Sequence, residues 1–130
     1  MRKTIIIEGN NISDVISFYN EINRVFMQNE DWKLGNSLDA LNDLFYGGYG
    51  EIKGKESVEL IWKDISKSKS ALGYEATKAF YEEKLANPGT YNVKWAEEKL
   101  AELERNEGET YFDIVLSIVK DHPNIELVQQ

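Results

Sequence analysis

The sequence contains no cysteine and only one histidine among its 130 residues. Disulfide bonds and thiolate metal sites are therefore excluded, a composition that fits a reducing compartment. A Ser-His-Asp triad would have to use His122, and no nucleophile-elbow motif accompanies it. Because Pro123 follows directly, we interpret His122 as a surface residue that ends a helix. We expect neither a metal ion nor a cofactor.

Long apolar segments are also missing. No stretch approaches the roughly 18–20 apolar residues that a membrane-spanning helix needs. The apolar run at residues 5–7 is too short for a secretory signal peptide, and no small-residue cleavage site follows it. The expected location is the cytosol, without membrane contact.

Basic residues are outnumbered. Fifteen lysines and arginines stand against 23 aspartates and glutamates, giving a formal net charge of −8. Direct nucleic-acid binding is disfavoured, because it depends on cationic groups that neutralise phosphates. An acidic protein is instead attracted to basic partners, among which are proteins that bind nucleic acids. The alternative is that the charge serves only solubility.

Hydrophobic periodicity and turn residues predict nine elements in the order β-α-α-β-α-α-α-α-β. The strands are predicted at 4–8, 57–62 and 125–128, and the first is expected to be buried. The helices are predicted at 13–27, with Ser13 as N-cap, and at 37–46, 65–72, 74–85, 93–105 and 111–120. Long helical connections favour parallel pairing of the strands. We therefore predict one α/β domain over 1–130, with a small three-stranded parallel sheet covered by helices.

The second predicted helix carries the most informative pattern. At about 100° per residue, its two sides separate by polarity. The apolar side carries Leu38, Leu41, Leu44 and Phe45, and the polar side carries Asp39, Asn42, Asp43 and Tyr46. Asp39 and Asp43 lie one helical turn apart. Two interpretations remain open here: a binding surface, or ordinary exposed acids with Asn36 and Asp39 forming a near capping box.

The string from Gly35 to Asp43, GNSLDALND, resembles the central motif of the barstar family. That motif is Gly, two variable positions, Leu-Asp-Ala-Leu, one variable position and Asp. The order of the flanking elements is also similar, apart from residues 74–107, which we interpret as an inserted helical hairpin. The family's tryptophan before the last aspartate is replaced here by Asn42. The tyrosine pair that precedes the family's glycine is replaced by Lys33 and Leu34.

The resemblance implies inhibition of a ribonuclease and no catalytic activity. In the family, one motif aspartate enters the pocket for substrate phosphate, and the matching residue here is Asp43. Asp39 matches the second interfacial aspartate. The expected binding surface consists of Trp32, Gly35, Asn36, Ser37, Leu38, Asp39, Asn42, Asp43, Tyr46 and Gly47. The expected partner is a basic ribonuclease, bound 1:1, either a barnase-like enzyme or a toxin domain for which this chain is the immunity protein.

Two other classes of function are alternatives to ribonuclease inhibition. The first is a barstar-like binding module whose partner is not a ribonuclease, and the predicted hairpin at 74–107 offers it a second surface. The second is an enzyme with Asp39 and Asp43 as an acid–base pair. That class is disfavoured, because two exposed carboxylates lack the burial that separates the pKa values of a catalytic pair.

Overall fold

The computed structural model describes residues 2–89 and 92–130. The predicted α/β class and the predicted element order are both confirmed. The strands are β1 (Lys3–Glu8), β2 (Val58–Lys63) and β3 (Ile125–Gln129), and a 3-10 turn (Gly9–Asn11) follows β1. The helices are α1 (Val15–Phe26), α2 (Leu38–Phe45), α3 (Ile65–Ala71), α4 (Tyr74–Leu85), α5 (Val93–Glu104) and α6 (Tyr111–Lys120). Within the described ranges, no helix has both the length and the apolar character needed to cross a membrane.

The three strands form one parallel sheet in the order β1-β2-β3. In its register Ile5 lies beside Leu60, and Val58 lies beside Ile125. Parallel neighbours require crossover connections, which the helices provide.

The helices cover one face of this sheet. Ile5, Ile7, Leu60 and Trp62 alternate along β1 and β2 and are almost completely buried. Ile6 points the other way and is 38% exposed. The prediction that β1 is a buried strand therefore holds only for alternate positions, since no helix of the described residues covers the outer face of the sheet.

Trp62 joins three helices to the sheet. Its ring stacks on Phe18 of α1 at 6.1 Å and meets Phe112 of α6 edge-on at 5.7 Å. Its indole Nε1 donates to Oγ of Ser68 on α3 at 2.9 Å, so its polar atom is satisfied inside the core. Burial of this residue thus fixes α1, α3 and α6 relative to β2.

The start of α1 differs from the prediction. Asp14, and not Ser13, is the N-cap: its carboxylate accepts from the Ser17 backbone N–H at 2.7 Å. In return, Oγ of Ser17 accepts from the Asp14 N–H at 2.9 Å. This reciprocal capping box satisfies two groups at once, which favours Asp14 over its neighbour.

Helices α4 and α5 form a hairpin with a small core of its own. Tyr81, Ala96 and Leu103 are buried but lie outside the main cluster of core residues. The hairpin is fastened to α6 through Thr77, whose Oγ1 accepts from the Tyr111 backbone N–H at 2.7 Å. Residues 90 and 91 of the predicted insertion lie outside the described residues. The interpretation of 74–107 as an insertion stays a prediction.

Candidate functional site

Helix α2 is held on its apolar side by Leu41, Leu44 and Phe45, all buried. It begins at Ser37, whose side chain accepts from the Ala40 backbone N–H at 3.1 Å. The expected near capping box from Asn36 is therefore wrong. Ser37 has the extended backbone of an N-cap and places its oxygen at the third helical N–H.

Gly47 ends α2 with a positive φ of 82°. A Cβ at this position would lie 2.3 Å from the carbonyl oxygen of Gly54, so a side chain cannot be accommodated. The Gly54 N–H donates to the Gly47 carbonyl at 2.8 Å and closes the following loop. Gly47 thus supports the end of the candidate surface through its backbone.

Asp39 and Asp43 are both exposed on the outer side of α2. Within the described part of the chain, neither carboxylate has a hydrogen bond or an ion pair. Asp43 lies close enough to Tyr49 to act on it: burial, and secondly the Asp43 charge, raise the pKa of the Tyr49 hydroxyl. The two carboxylates are therefore available for cations from outside the chain.

Asn42 occupies a different environment from its two acidic neighbours. It is half-buried, and its Oδ1 accepts from Nε2 of His122 at 2.8 Å. His122 is only 4% exposed, so the interpretation of this histidine as a surface residue is wrong. The turn between α6 and β3 carries it beneath α2, where its carbonyl accepts from the Ile125 N–H at 3.0 Å.

The imidazole of His122 also contacts two rings of the α2 region. Tyr46 meets it edge-on at 4.7 Å and Phe45 at 5.7 Å. Burial lowers the pKa of His122, against a smaller opposing effect of the Asp121 carboxylate. The environment of the histidine therefore favours its neutral form. It supports Tyr46, whose side chain remains 64% exposed beside the two aspartates.

The loop before α2 is bound to α1. Leu34 is buried, and its backbone N–H donates to Oδ1 of Asn23 at 2.7 Å. Trp32 is 44% exposed and meets the ring of Tyr49 edge-on at 4.9 Å. The Asp43 charge acts on the hydroxyl of the same Tyr49. Trp32 and Asp43 therefore lie on the same side of the molecule.

The remaining predicted residues have simpler surroundings. Gly35 and Asn36 are exposed, and a Cβ at Gly35 would meet no atom within 4 Å. Leu38 is half-buried against the edge of the core. Sequence reasoning missed Asn23, His122 and Tyr49, which hold the surface from below. The described residues contain no group of three or more His, Cys, Asp or Glu that could hold a metal ion.

Comparison with known families gives a match over residues 2–87 to the family described as Barstar (barnase inhibitor). The matched part contains the 35–43 motif and runs from β1 to α4. The chain belongs to the barstar family. The match includes α4, which we had assigned to the insertion, and stops before α5. No curated protein and no solved structure gave a match.

Family membership indicates what kind of partner the candidate surface could bind. The family is described by the name of barstar, an inhibitor of barnase. A helix that presents two unpaired carboxylates and an exposed phenol is suited to binding a cationic cleft.

Proposed function

We propose that this protein inhibits a basic ribonuclease by placing α2 and the loop before it over the enzyme's active site in a 1:1 complex. One observation carries the proposal: Asp39 and Asp43 are exposed one turn apart on a fixed helix of a barstar-family protein, with no partner among the described residues. The surface also includes Tyr46 and Trp32, whose side chains remain exposed.

The chemistry of the target supports this role. A ribonuclease holds substrate phosphate with arginine, lysine or histidine side chains, and a carboxylate forms short charge-assisted hydrogen bonds with the same groups. Asp43 would take the phosphate position, and Asp39 would contact the rim of the cleft. This assignment follows from the position of the two aspartates in the family motif at residues 35–43.

The rigidity of α2 favours tight binding. Phe45 packs on Phe26 at 5.7 Å, and Asn42 is bonded to His122. Gly47 fixes the end of the helix by its close approach to Gly54. A surface that is already ordered loses less conformational entropy on association.

Long-range electrostatics act in the same direction. The net charge of −8 attracts a basic enzyme and accelerates encounter. Association is therefore expected to slow as salt is raised, because exposed charges are screened within about 10 Å at 0.1 M ionic strength. An inhibitor of this kind would protect the compartment in which the ribonuclease is made, so we expect the protein to act in the cytoplasm as an immunity protein or antitoxin.

The test is titration calorimetry and inhibition of RNA cleavage against a panel of basic ribonucleases, with barnase included. Wild type is expected to bind one member 1:1 and to abolish cleavage. Loss of one member of a buried charge pair costs about 2–5 kcal/mol, so Asp43→Ala should weaken binding roughly 30- to 4,000-fold. The matched control is Glu98→Ala, which removes an exposed carboxylate of α5 that has no partner in the described part of the chain.

Unchanged binding by Asp43→Ala would refute the assignment of the site. Failure of wild type to bind any ribonuclease in the panel would refute the proposed function and leave a family member with another kind of partner.

A further inference from the structure

A groove of about 1040 Å³ runs beside the candidate surface. One wall consists of the start of α1 and the segment from Asn36 to Asp39. The other wall consists of α4, α5 and Glu109, and the buried Tyr111 is part of the lining. Four residues of the proposed binding surface therefore also line the groove: Asn36, Ser37, Leu38 and Asp39.

Apolar side chains are exposed along this groove. Ile16 on one wall is 63% exposed, and Trp95 on the other is 39% exposed. Trp95 is oriented by Tyr81, whose ring it meets edge-on at 5.5 Å. Exposed aromatic and aliphatic side chains that lie next to a polar binding surface are typical anchors of protein interfaces.

The charged groups of the groove are mostly acidic. Its lining contains the carboxylates of Asp14, Asp39, Glu83 and Glu109 and the ammonium groups of Lys84 and Lys99. Lys99 is paired with Glu102 at 3.6 Å, and Lys84 lies over the ring of Phe80 at 4.6 Å. Asp39, Glu83 and Glu109 have no ion pair in the described part of the chain and lie on both walls. A cationic segment would meet carboxylates on each side.

The size of α2 adds a geometric argument. Eight residues at about 1.5 Å each give a helix roughly 12 Å long. A specific protein complex covers about 800 Å² on each partner, which involves some 20–30 residues. Helix α2 and its loop are too small for this, so a partner seated on them must extend onto neighbouring surface.

We infer that the groove is a second contact site for the same ribonuclease, and that it receives a basic loop with an apolar side chain at its tip. This inference rests on the proposed function. Helices α4 and α5 then determine which ribonucleases fit, because they form the wall that faces α2. A ribonuclease without such a loop contacts α2 alone and binds more weakly.

The inference is tested with the ribonuclease that wild type binds most tightly in the panel above. Ile16→Ser should weaken binding at least about tenfold, as expected for a central apolar anchor. Glu83→Gln combined with Glu109→Gln should slow association severalfold at low salt. Ile6→Ser is the matched control, since Ile6 is exposed on the outer face of the sheet. It should bind within twofold of wild type.

Photo-crosslinking provides a readout that does not depend on stability. The photoreactive residue p-benzoylphenylalanine placed at position 16 should crosslink to the ribonuclease, and at position 6 it should not. Wild-type affinity in Ile16→Ser, together with no crosslink at position 16, would overturn the inference. If Asp43→Ala still loses binding in that case, the proposed function stands without the groove. If wild type binds no ribonuclease, both fail.

Discussion

The bond between Asn42 and His122 makes a quantitative prediction about the fold beneath the proposed site. His122→Ala removes an imidazole that is 4% exposed and leaves Oδ1 of Asn42 without its donor at 2.8 Å. It also removes the ring against which Tyr46 and Phe45 pack. The substitution therefore combines a lost hydrogen bond with a cavity.

The expected cost has two parts. Loss of the hydrogen bond to the half-buried Asn42 costs about 1 kcal/mol, and deletion of a buried ring of this size adds about 2–4 kcal/mol. The sum of about 3–5 kcal/mol is a large share of the 5–15 kcal/mol that stabilises a typical domain. At about 4 °C per kcal/mol, His122→Ala should lower Tm by roughly 12–20 °C.

A double-mutant cycle isolates the hydrogen bond from the cavity. The free energy of unfolding is measured by urea denaturation for wild type, His122→Ala, Asn42→Ala and the double variant. The coupling energy should be about 1 kcal/mol, the net value of one hydrogen bond. A coupling below about 0.3 kcal/mol would refute this account, because residues that do not interact show additive effects within that range.

Two further predictions concern buried titratable groups. Burial lowers the pKa of His122, so unfolding takes up a proton and stability should decline as pH falls below about 6.5. The single histidine makes an NMR titration unambiguous, and a pKa at or above 6.5 would contradict the prediction. Glu21 is only 2% exposed, and burial raises the pKa of its carboxyl group. Hydrogen bonds to the carboxylate outweigh this effect and hold the pKa below its usual value. The donors are Arg24 at 2.7 Å, the Glu8 backbone N–H at 2.8 Å and Asn11 at 3.0 Å. Glu21→Ala should lower the free energy of unfolding, measured by urea denaturation at pH 7, by about 2–4 kcal/mol. The loss should become smaller as the pH falls through the pKa of the folded state. Arg24→Ala changes the exposed partner and should destabilise the protein less, and equal losses for the two variants would contradict the argument.

Local sequence signals were sufficient for the order of the elements. Tyr74–Leu85 and Tyr111–Lys120 were predicted with the observed bounds, because helical periodicity ends there at residues that favour turns. Parallel pairing followed from the long helical connections between strands. These features depend on neighbouring residues, so sequence patterns report them directly.

Features that depend on distant contacts were predicted less well. His122 lies 80 residues from Asn42 in the sequence, and only the packing of α6 under α2 brings the two together. The exposure of Ile6 follows from helices lying on one face of the sheet, which a run of three isoleucines does not indicate. The N-cap of α1 depended on Ser17, whose side chain completes the capping box with Asp14.

The departure from the family motif at position 42 has a physical consequence for the proposed interface. Where the family motif carries tryptophan, Asn42 turns toward His122 and contributes a partly buried hydrogen bond in place of an aromatic contact surface. The exposed aromatic surface of α2 comes from Tyr46, which rests on the same histidine. A ribonuclease that fits this surface must contact an aromatic ring about one helical turn further along α2 than in the family motif. Under the proposed function, the preference of this protein among ribonucleases is therefore expected to differ from that of barstar, with Tyr46 and the proposed groove wall of α4 and α5 as its determinants.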